Sequence, residues 1–262
     1  MPIAVAAPNQ LAADAGREIA DAGGNAVDAA VAAALVAMTT EPGICSLPGG
    51  AYLTIEPVDG PAETIDANVS MPGHGLPRDR FGGGVFDIRT DYGGGVDITI
   101  GHGSVATPGT PAGLALASER HGRLPWRELL APAIAIARSG FPMGAASSYY
   151  LDYVHQDLFG WHAPSHAAIH APDGTLLPTG AEVRIEALAD SLQQLADEGV
   201  AALYAGDLGA RIVTDVLDHG GLLTREDLRR YRAVVREPVT VDVAGWHVAT
   251  NPPPAIGGVT LG

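Results

Sequence analysis

The sequence predicts a mixed α+β (or α/β) fold with a largely helical middle, and three observations carry that prediction. Apolar residues recur at helical spacing in several segments between Gln10 and Asp218. Short β-branched runs bounded by Gly and Pro stand toward both ends, at Ala51–Ala67 and Pro238–Thr250. A Gly/Pro-rich stretch from Met71 to Gly103 separates the first strands from most of the helices.

Taken in order, Ile3 to Ala7 is an apolar run ended by Pro8, which predicts a short buried strand. Asn9 is placed to cap a helix from about Gln10 to Ala22, with Leu11, Ala15, Ile19 and Ala22 on one face. Gly23-Gly24 ends it, and Asn25 starts a second helix, Ala26 to Met38, apolar nearly all round. A helix without a wet face belongs inside a domain, and its many alanines permit close packing on a sheet. The loop EPGICSLPGG leads into two strands of AYLTIEPVDGPAETIDA around a turn at Asp59-Gly60. Met71 to Gly103, with Gly82-Gly83-Gly84 and Gly93-Gly94-Gly95, reads as a long loop with short extended pieces.

Pro111 then sits near the start of a helix running to about His121, and Trp126 to Ser139 forms another. Glu182 to Glu198 is amphipathic, with Ile185, Leu188, Leu192 and Leu195 on one face, and Ala201 to Asp218 supplies one more helix. Thr224 with Asp227 three residues on is a capping-box start. Residues 107 to 234 therefore form a mostly helical lobe. PVTVDV and WHVAT return the chain to strands before the ending NPPPAIGGVTLG. Val259, Thr260 and Leu261 look like the opening of a further apolar element, so the polypeptide is expected to be part of a longer one.

Composition narrows the function classes. Fifteen basic against thirty acidic residues give a net charge of −15 over 262 residues, which excludes the positive footprint that nucleic acid or an anionic membrane requires. Cys45 is the single cysteine, so neither an intrachain disulfide nor a thiolate metal cluster can form. The opening MPIAVAAPNQ lacks a basic n-region and an apolar stretch of signal-peptide length; the sequence as it stands reads as cytoplasmic, a leader removed ahead of it being the alternative.

Several residues invite a chemical reading. Cys45-Ser46 in a Gly/Pro-rich loop is a candidate nucleophile, against a buried or incidental thiol. Ser104 in GHGSV lacks the spacing of a nucleophile elbow and reads as a turn serine. His155, His162, His166 and His170 include spacings of four that would stack imidazoles on one helix face for Zn²⁺ or Ni²⁺. Pro164, Gly160-Trp161 and Pro172-Asp173-Gly174 interrupt any such helix, so exposed loop histidines are expected and no metal is assigned. The glycine clusters match neither a dinucleotide fingerprint nor a P-loop; they either shape a loop bordering a substrate entrance or form a flexible surface loop.

A set of strings in order carries a resemblance. GGNAVDAAVAAAL (Gly23 to Leu35), Glu41-Pro42, Gly49-Gly50, the strand ending at Asp66, TPGTPAG (Thr107 to Gly113), LLAPAIAIARSGF (Leu129 to Phe141), LYAGDLGARI (Leu203 to Ile212), GGLLTREDLRRYRAV (Gly220 to Val234) and Asn251-Pro252-Pro253-Pro254 with Gly257-Gly258 together resemble the γ-glutamyltransferase family. They cover nearly all of residues 5 to 262.

The resemblance implies a four-layer αββα sandwich with an N-terminal nucleophile, of which residues 1–262 are an incomplete large-subunit portion of a single domain. It implies a precursor that cuts itself to expose a Thr, whose hydroxyl attacks a γ-glutamyl amide while its own α-amino group acts as base. That Thr is expected downstream, so no catalytic residue is assigned here, no cofactor is needed, and the obligatory partner is the remainder of the same protein. The family's large subunit is expected to contribute an Arg after the Asp66 strand that pairs with the glutamyl α-carboxylate. Asn68 stands there, and a neutral amide cannot form a charged bidentate clamp. Either γ-glutamyl recognition is lost or Arg78 or Arg80 reaches in, so the substrate-binding candidates are Asn68, Arg78 and Arg80. The reading is an amide hydrolase/acyltransferase moving a γ-glutamyl or related acyl group from glutathione-like amides to water or amines. The alternatives are an acylase on a different amide, or an inactive relative serving as a binding subunit.

Overall fold

The structure is a computed structural model that describes residues 3–261, the side chains of Val259 and Leu261 excepted. Helix α1 (Gln10–Asp21) begins at Asn9, whose side chain accepts from Ala12 N–H, and α2 (Ala26–Thr40) begins with a capping box between Asn25 and Asp28. Ten of the fifteen α2 residues are buried, and the exposed ones, Ala26 and Ala30, are alanines, so the helix runs through the core without a polar face, as its composition predicts. Strands β1 (Ala51–Ile55) and β2 (Glu63–Ala67) pair antiparallel, and β3 (Phe86–Thr90) with β4 (Val96–Ile100) forms a separate hairpin. Next come α3 (Thr110–His121), α4 (Trp126–Ser139), β5 (Phe141–Pro142), α5 (Ala145–Val154), a π turn at His155–Phe159 and α6 (Ala163–Ile169). The chain continues through β6 (Glu182–Val183), α7 (Leu188–Glu198), α8 (Ala201–Tyr204), α9 (Asp207–Asp218) and α10 (Arg225–Arg230). It closes with β7 (Val234–Arg236), β8 (Val239–Val243), β9 (Trp246–Thr250) and α11 (Ile256–Leu261).

The sheet that matters is three-stranded, with β2 in the middle and β1 and β7 antiparallel on either side. Directly opposed residues share a face. One face carries Leu53 and Ile55 of β1 and Ile65 and Ala67 of β2, packed into the main core with α1, α2, α3, α4 and α7. The other face is polar: Tyr52 opposes Asp66, and Thr54, Thr64 and Arg236 form the next row. A smaller core joins α5 and α6 to the β5–β6 pair through Phe141, Met143, Leu151, Ile169 and Val183. Among the described residues no helix is long and apolar enough to cross a membrane.

The structure departs from the sequence reading at five places. Residues 3–7 form no strand; Val5 instead packs against Gly16, where an added Cβ would lie 2.8 Å from Val5 Cγ1. The Met71–Gly103 stretch contains a regular hairpin, because Gly93, Gly94 and Gly95 all take positive φ and turn β3 into β4. The helix expected from Glu182 starts only at Leu188: Glu182-Val183 pairs with β5, and Ala187 has φ 58°. The helix expected over Ala201–Asp218 is broken at Gly206, whose Cβ position lies 2.9 Å from Ala202 Cα and O, so only glycine permits the reversal between α8 and α9. The histidines from His155 to His170 are not exposed loop residues as expected: His155 lies in the π turn and His166 in α6, whose ends His162 and His170 cap; none of the four is exposed, and buried His170 has its Nε2 2.7 Å from His155 Nδ1.

A candidate substrate edge at Asp66–Asn68

β2 delivers Asp66 to the polar face of the sheet and then opens into Asn68-Val69-Ser70. The Asp66 carboxylate is buried; Oδ2 accepts from Arg236 Nε at 2.7 Å and Oδ1 accepts from Asn68 N–H at 3.1 Å. The second contact is a local side-chain turn that ends the strand and swings Asn68 to the edge. Asn68 Oδ1 accepts from Val69 N–H at 2.9 Å, and its side chain faces Gly50, where an added Cβ would sit 2.7 Å from that oxygen. Ser70 is bridged to Thr107 by paired main-chain hydrogen bonds of 3.2 and 2.9 Å.

Two tyrosines fix the TPGTPAG turn beneath this edge. Tyr231 Oη donates to Asn68 O at 2.6 Å, Tyr204 Oη donates to Pro108 O at 2.9 Å, and the rings stack with centroids 5.7 Å apart. Burial first, then Asp66 and Tyr52, push the Tyr231 phenol up to about 12, so it remains a donor at neutral pH. Gly109 and Thr110 N–H both donate to Gly49 O, tying the Gly49-Gly50 loop to the start of α3. The result is a half-buried amide at Asn68, with Val69, Ser70 and Met71 exposed beside it.

The buried Tyr52 hydroxyl lies beside the Asn68 side chain without a well-aligned hydrogen bond among the described residues; burial followed by the Asp66 carboxylate pushes its phenol up, with Asn68 and Arg236 acting the other way. Thr107 Oγ1, on the residue bridged to Ser70, is likewise buried without a partner among the described residues, as is Thr90 Oγ1.

Arg78 and Arg80 lie on an exposed 3₁₀ turn, and among the described residues neither forms an ion pair or side-chain hydrogen bond. The approach to that turn is anchored at Asp227, whose carboxylate accepts from Gly73 and His74 N–H and from the Thr224 cap. The structure thus brings Asn68, Asp66, Tyr52 and Arg236 together and gives Arg78 and Arg80 no contact with Asn68. Arg236 was not among the sequence candidates. It is 170 positions from Asp66, and only the β2–β7 register reveals the pairing.

The other candidates resolve simply. Ser104 Oγ donates to Gly101 O at 2.8 Å, a turn contact. Cys45 is exposed, and desolvation followed by the Glu41 charge raises its thiol, opposite to what a nucleophile requires. Gly82-Gly83-Gly84 is a packed element: Gly103 N–H donates to Gly84 O at 2.8 Å, and a Cβ on Gly84 would lie 2.7 Å from Gly220 O.

The fold is that of the N-terminal-nucleophile hydrolases with a gamma-glutamyltranspeptidase architecture. It superposes on the gamma-glutamyltranspeptidase from Pseudomonas nitroreducens complexed with L-DON with a TM-score of 0.82 at 32% identity, covering 98% of this chain and 73% of that one. The gamma-glutamyltranspeptidase family model matches residues 12–262, and the chain belongs to that family. The Escherichia coli glutathione hydrolase proenzyme is 33% identical over 257 residues, covering 98% of this chain and 43% of the relative. The acylase ACY 1 proenzyme of Pseudomonas sp. (strain SE83) is 34% identical over 259 residues, covering 96% and 45%. The chain therefore spans less than half the length of these curated relatives.

Proposed function

We propose that this chain is the large-subunit portion of a self-cleaving amide hydrolase/acyltransferase that takes a γ-glutamyl or related acyl group from a small amide. The observation that carries the reading is the edge at Asn68. It presents an amide and the spare N–H groups of Arg236 on the open face of the sheet, above the buried Tyr52 hydroxyl, with no activated nucleophile of its own among the described residues. Such an edge suits recognition, and the reaction needs a nucleophile brought to it. In the proposed reaction the hydroxyl of a newly exposed N-terminal Thr in the rest of the protein adds to the amide carbonyl. The C–N bond breaks, and the α-amine of that Thr passes the proton to the leaving amine; water or an acceptor amine then takes the acyl group.

Asn68 favours a second reading, an acylase whose donor has no α-carboxylate at this position, because a neutral amide contributes no charge to bind one. The acylase relative makes the same point from its name. Both readings are tested on the complete gene product. Mass spectrometry is expected to find two pieces, the second beginning with Thr; one intact, inactive chain would overturn both. A γ-glutamyl anilide assayed beside a panel of other acyl amides then separates them.

A further inference from the structure

A second cluster of chemistry-bearing side chains lies at the foot of the β3–β4 hairpin, where the 3₁₀ turn His102–Ser104 meets the C-terminal end of α9. Asp215 and His219 are four residues apart and share one side of the helix end. His102 reaches them from the hairpin: its ring stacks on His219 with centroids 4.4 Å apart and planes 16° apart, and its Nε2 lies 3.7 Å from Asp215 Oδ2. One ring nitrogen from each imidazole and one Asp215 oxygen all lie within 4.8 Å of one another. We propose that His102, Asp215 and His219 form a binding site for a divalent transition-metal ion of the Zn²⁺ class, clamping the hairpin to α9.

Three features carry this. The donor set, two imidazoles and one carboxylate, is one that Zn²⁺ accepts in three-ligand sites with an open fourth position. Tetrahedral Zn²⁺ with bonds of about 2.0–2.1 Å needs ligand atoms about 3.3 Å apart, so separations that now reach up to 4.8 Å must contract by as much as about 1.5 Å, within reach of side-chain rotation. His219 Nδ1 also donates to the Asp215 carbonyl at 2.7 Å, the kind of contact that fixes a ligating histidine's tautomer and leaves Nε2 with its lone pair.

The turn holding His102 is rigidly placed. Gly101 has φ 114°, and a Cβ on Gly103 would overlap Gly83 O, so the hairpin foot is pressed onto the Gly82–Gly84 segment. A cleft of about 560 Å³, walled by Phe86, Trp161 and His162, opens beside the cluster and supplies room for a water or small anion as fourth ligand. His162 is a wall and not a ligand: its Nδ1 accepts from Ser165 N–H at 3.3 Å as the cap of α6, which leaves the proton on Nε2.

The other histidine group does not qualify. His170 Nδ1 lies 2.8 Å from His166 O and its Nε2 lies 2.7 Å from His155 Nδ1, so both nitrogens are already used within the protein.

The test uses the full gene product, stripped with a chelator and titrated with Zn²⁺ by calorimetry and with Co²⁺ by visible absorption. Expected is one equivalent bound with a Kd of about 10 µM or tighter, with a Co²⁺ band of four- or five-coordinate intensity. H102A, D215N and H219A should each weaken binding at least tenfold, while H170A leaves it unchanged. His219 and Asp215 are exposed, so unchanged metal-free melting of H219A and D215N distinguishes lost ligation from lost folding. Absence of stoichiometric binding by the wild-type protein at 100 µM ion (about tenfold above the expected Kd) would overturn the proposal. So would binding that survives H102A and H219A, or that disappears in H170A.

Discussion

Arg236 Nε donates to Asp66 Oδ2 at 2.7 Å, joining the last strand of the sheet to its middle strand across a sequence gap of 170 residues. Asp66 is buried and its other oxygen holds the Asn68 turn, so one carboxylate sets both the strand pairing and the candidate substrate edge. Asp66→Asn keeps the size and removes the charge. It is expected to cost about 1–3 kcal/mol of stability, the usual range for breaking a buried charge-assisted hydrogen bond, and to lower kcat/KM at least tenfold in the mature protein. Thermal melting and steady-state kinetics of the same sample check it; unchanged kcat/KM would remove Asp66 from the site.

Gly109 is held by packing, since its φ of −116° is open to any residue. A Cβ there would overlap Ala67 O and Tyr231 Oη and lie 2.6 Å from Asn68 O. Gly109→Ala therefore must push α3 away from the end of β2 or expel Tyr231. A loss of about 2–3 kcal/mol is expected, within the range for overpacking a well-filled interior. Denaturant unfolding of the variant measures it, and a loss under 0.5 kcal/mol (about the scale of an ordinary surface change) would mean that the turn is looser than described.

How much of this was legible beforehand follows the range of the interactions. The caps at Asn9, Asn25 and Thr224 were readable because both partners lie within three residues of each other. The buried α2 was readable because composition alone removes its wet face. The β5–β6 pair was not: two residues, Phe141-Pro142, find Glu182-Val183 some 40 positions on (142 to 182), and no local pattern announces so short a ladder. The hairpin β3–β4 was locally signalled by the alternation Phe86-Asp87-Ile88-Arg89 and Val96-Asp97-Ile98-Thr99-Ile100, but the flanking glycine clusters read as loop, and the cross-strand pairs Arg89–Asp97 and Asp87–Thr99 appear only once the register is known. For the candidate site, Asn68 was singled out by its place after Asp66, whereas Arg236 and Tyr52 were not, because only strand register brings them beside it.

Glu63 gives a pH prediction. Arg120 donates to it through two nitrogens, at 2.9 and 2.7 Å, and this holds its carboxyl at about 2, against the pull of desolvation and with help from His121. A carboxyl lowered on folding adds stability above its ordinary value of 4.5, and that stability is lost as pH falls from 4.5 toward 2. The stability gap between wild type and Glu63→Gln should therefore be constant above pH about 5.5, a unit above the unfolded value, and narrow below it. Arg120 is partly exposed, so the gap should also shrink in high salt. A gap that widens on acidification would reverse the assignment.

Cys45 offers a simple exclusion. Its thiol is accessible yet held protonated beside Glu41, with a weak contact of 3.7 Å to Ala37 O. Alkylation should proceed slowly at neutral pH and accelerate as pH rises, and the fully modified enzyme should retain its activity. Loss of turnover in proportion to modification would restore Cys45 as a nucleophile candidate.

The decisive substitution for donor choice is Asn68→Arg. Asn68 is half-buried at an open edge with Val69 and Ser70 exposed, so a longer side chain has room outward even though Gly50 closes the inner side. A guanidinium here would add a fork of charged donors next to Arg236, which already spends its Nε on Asp66. If the enzyme already binds γ-glutamyl donors through Arg236, a second cation changes KM for a γ-glutamyl anilide by less than threefold. If its natural donor lacks an α-carboxylate, the new charge should lower KM for the γ-glutamyl anilide about tenfold, the effect of roughly 1.4 kcal/mol, and weaken turnover of the preferred acyl amide. The two variables, KM for each donor class in wild type and variant, decide between the γ-glutamyl and acylase readings without reference to any relative.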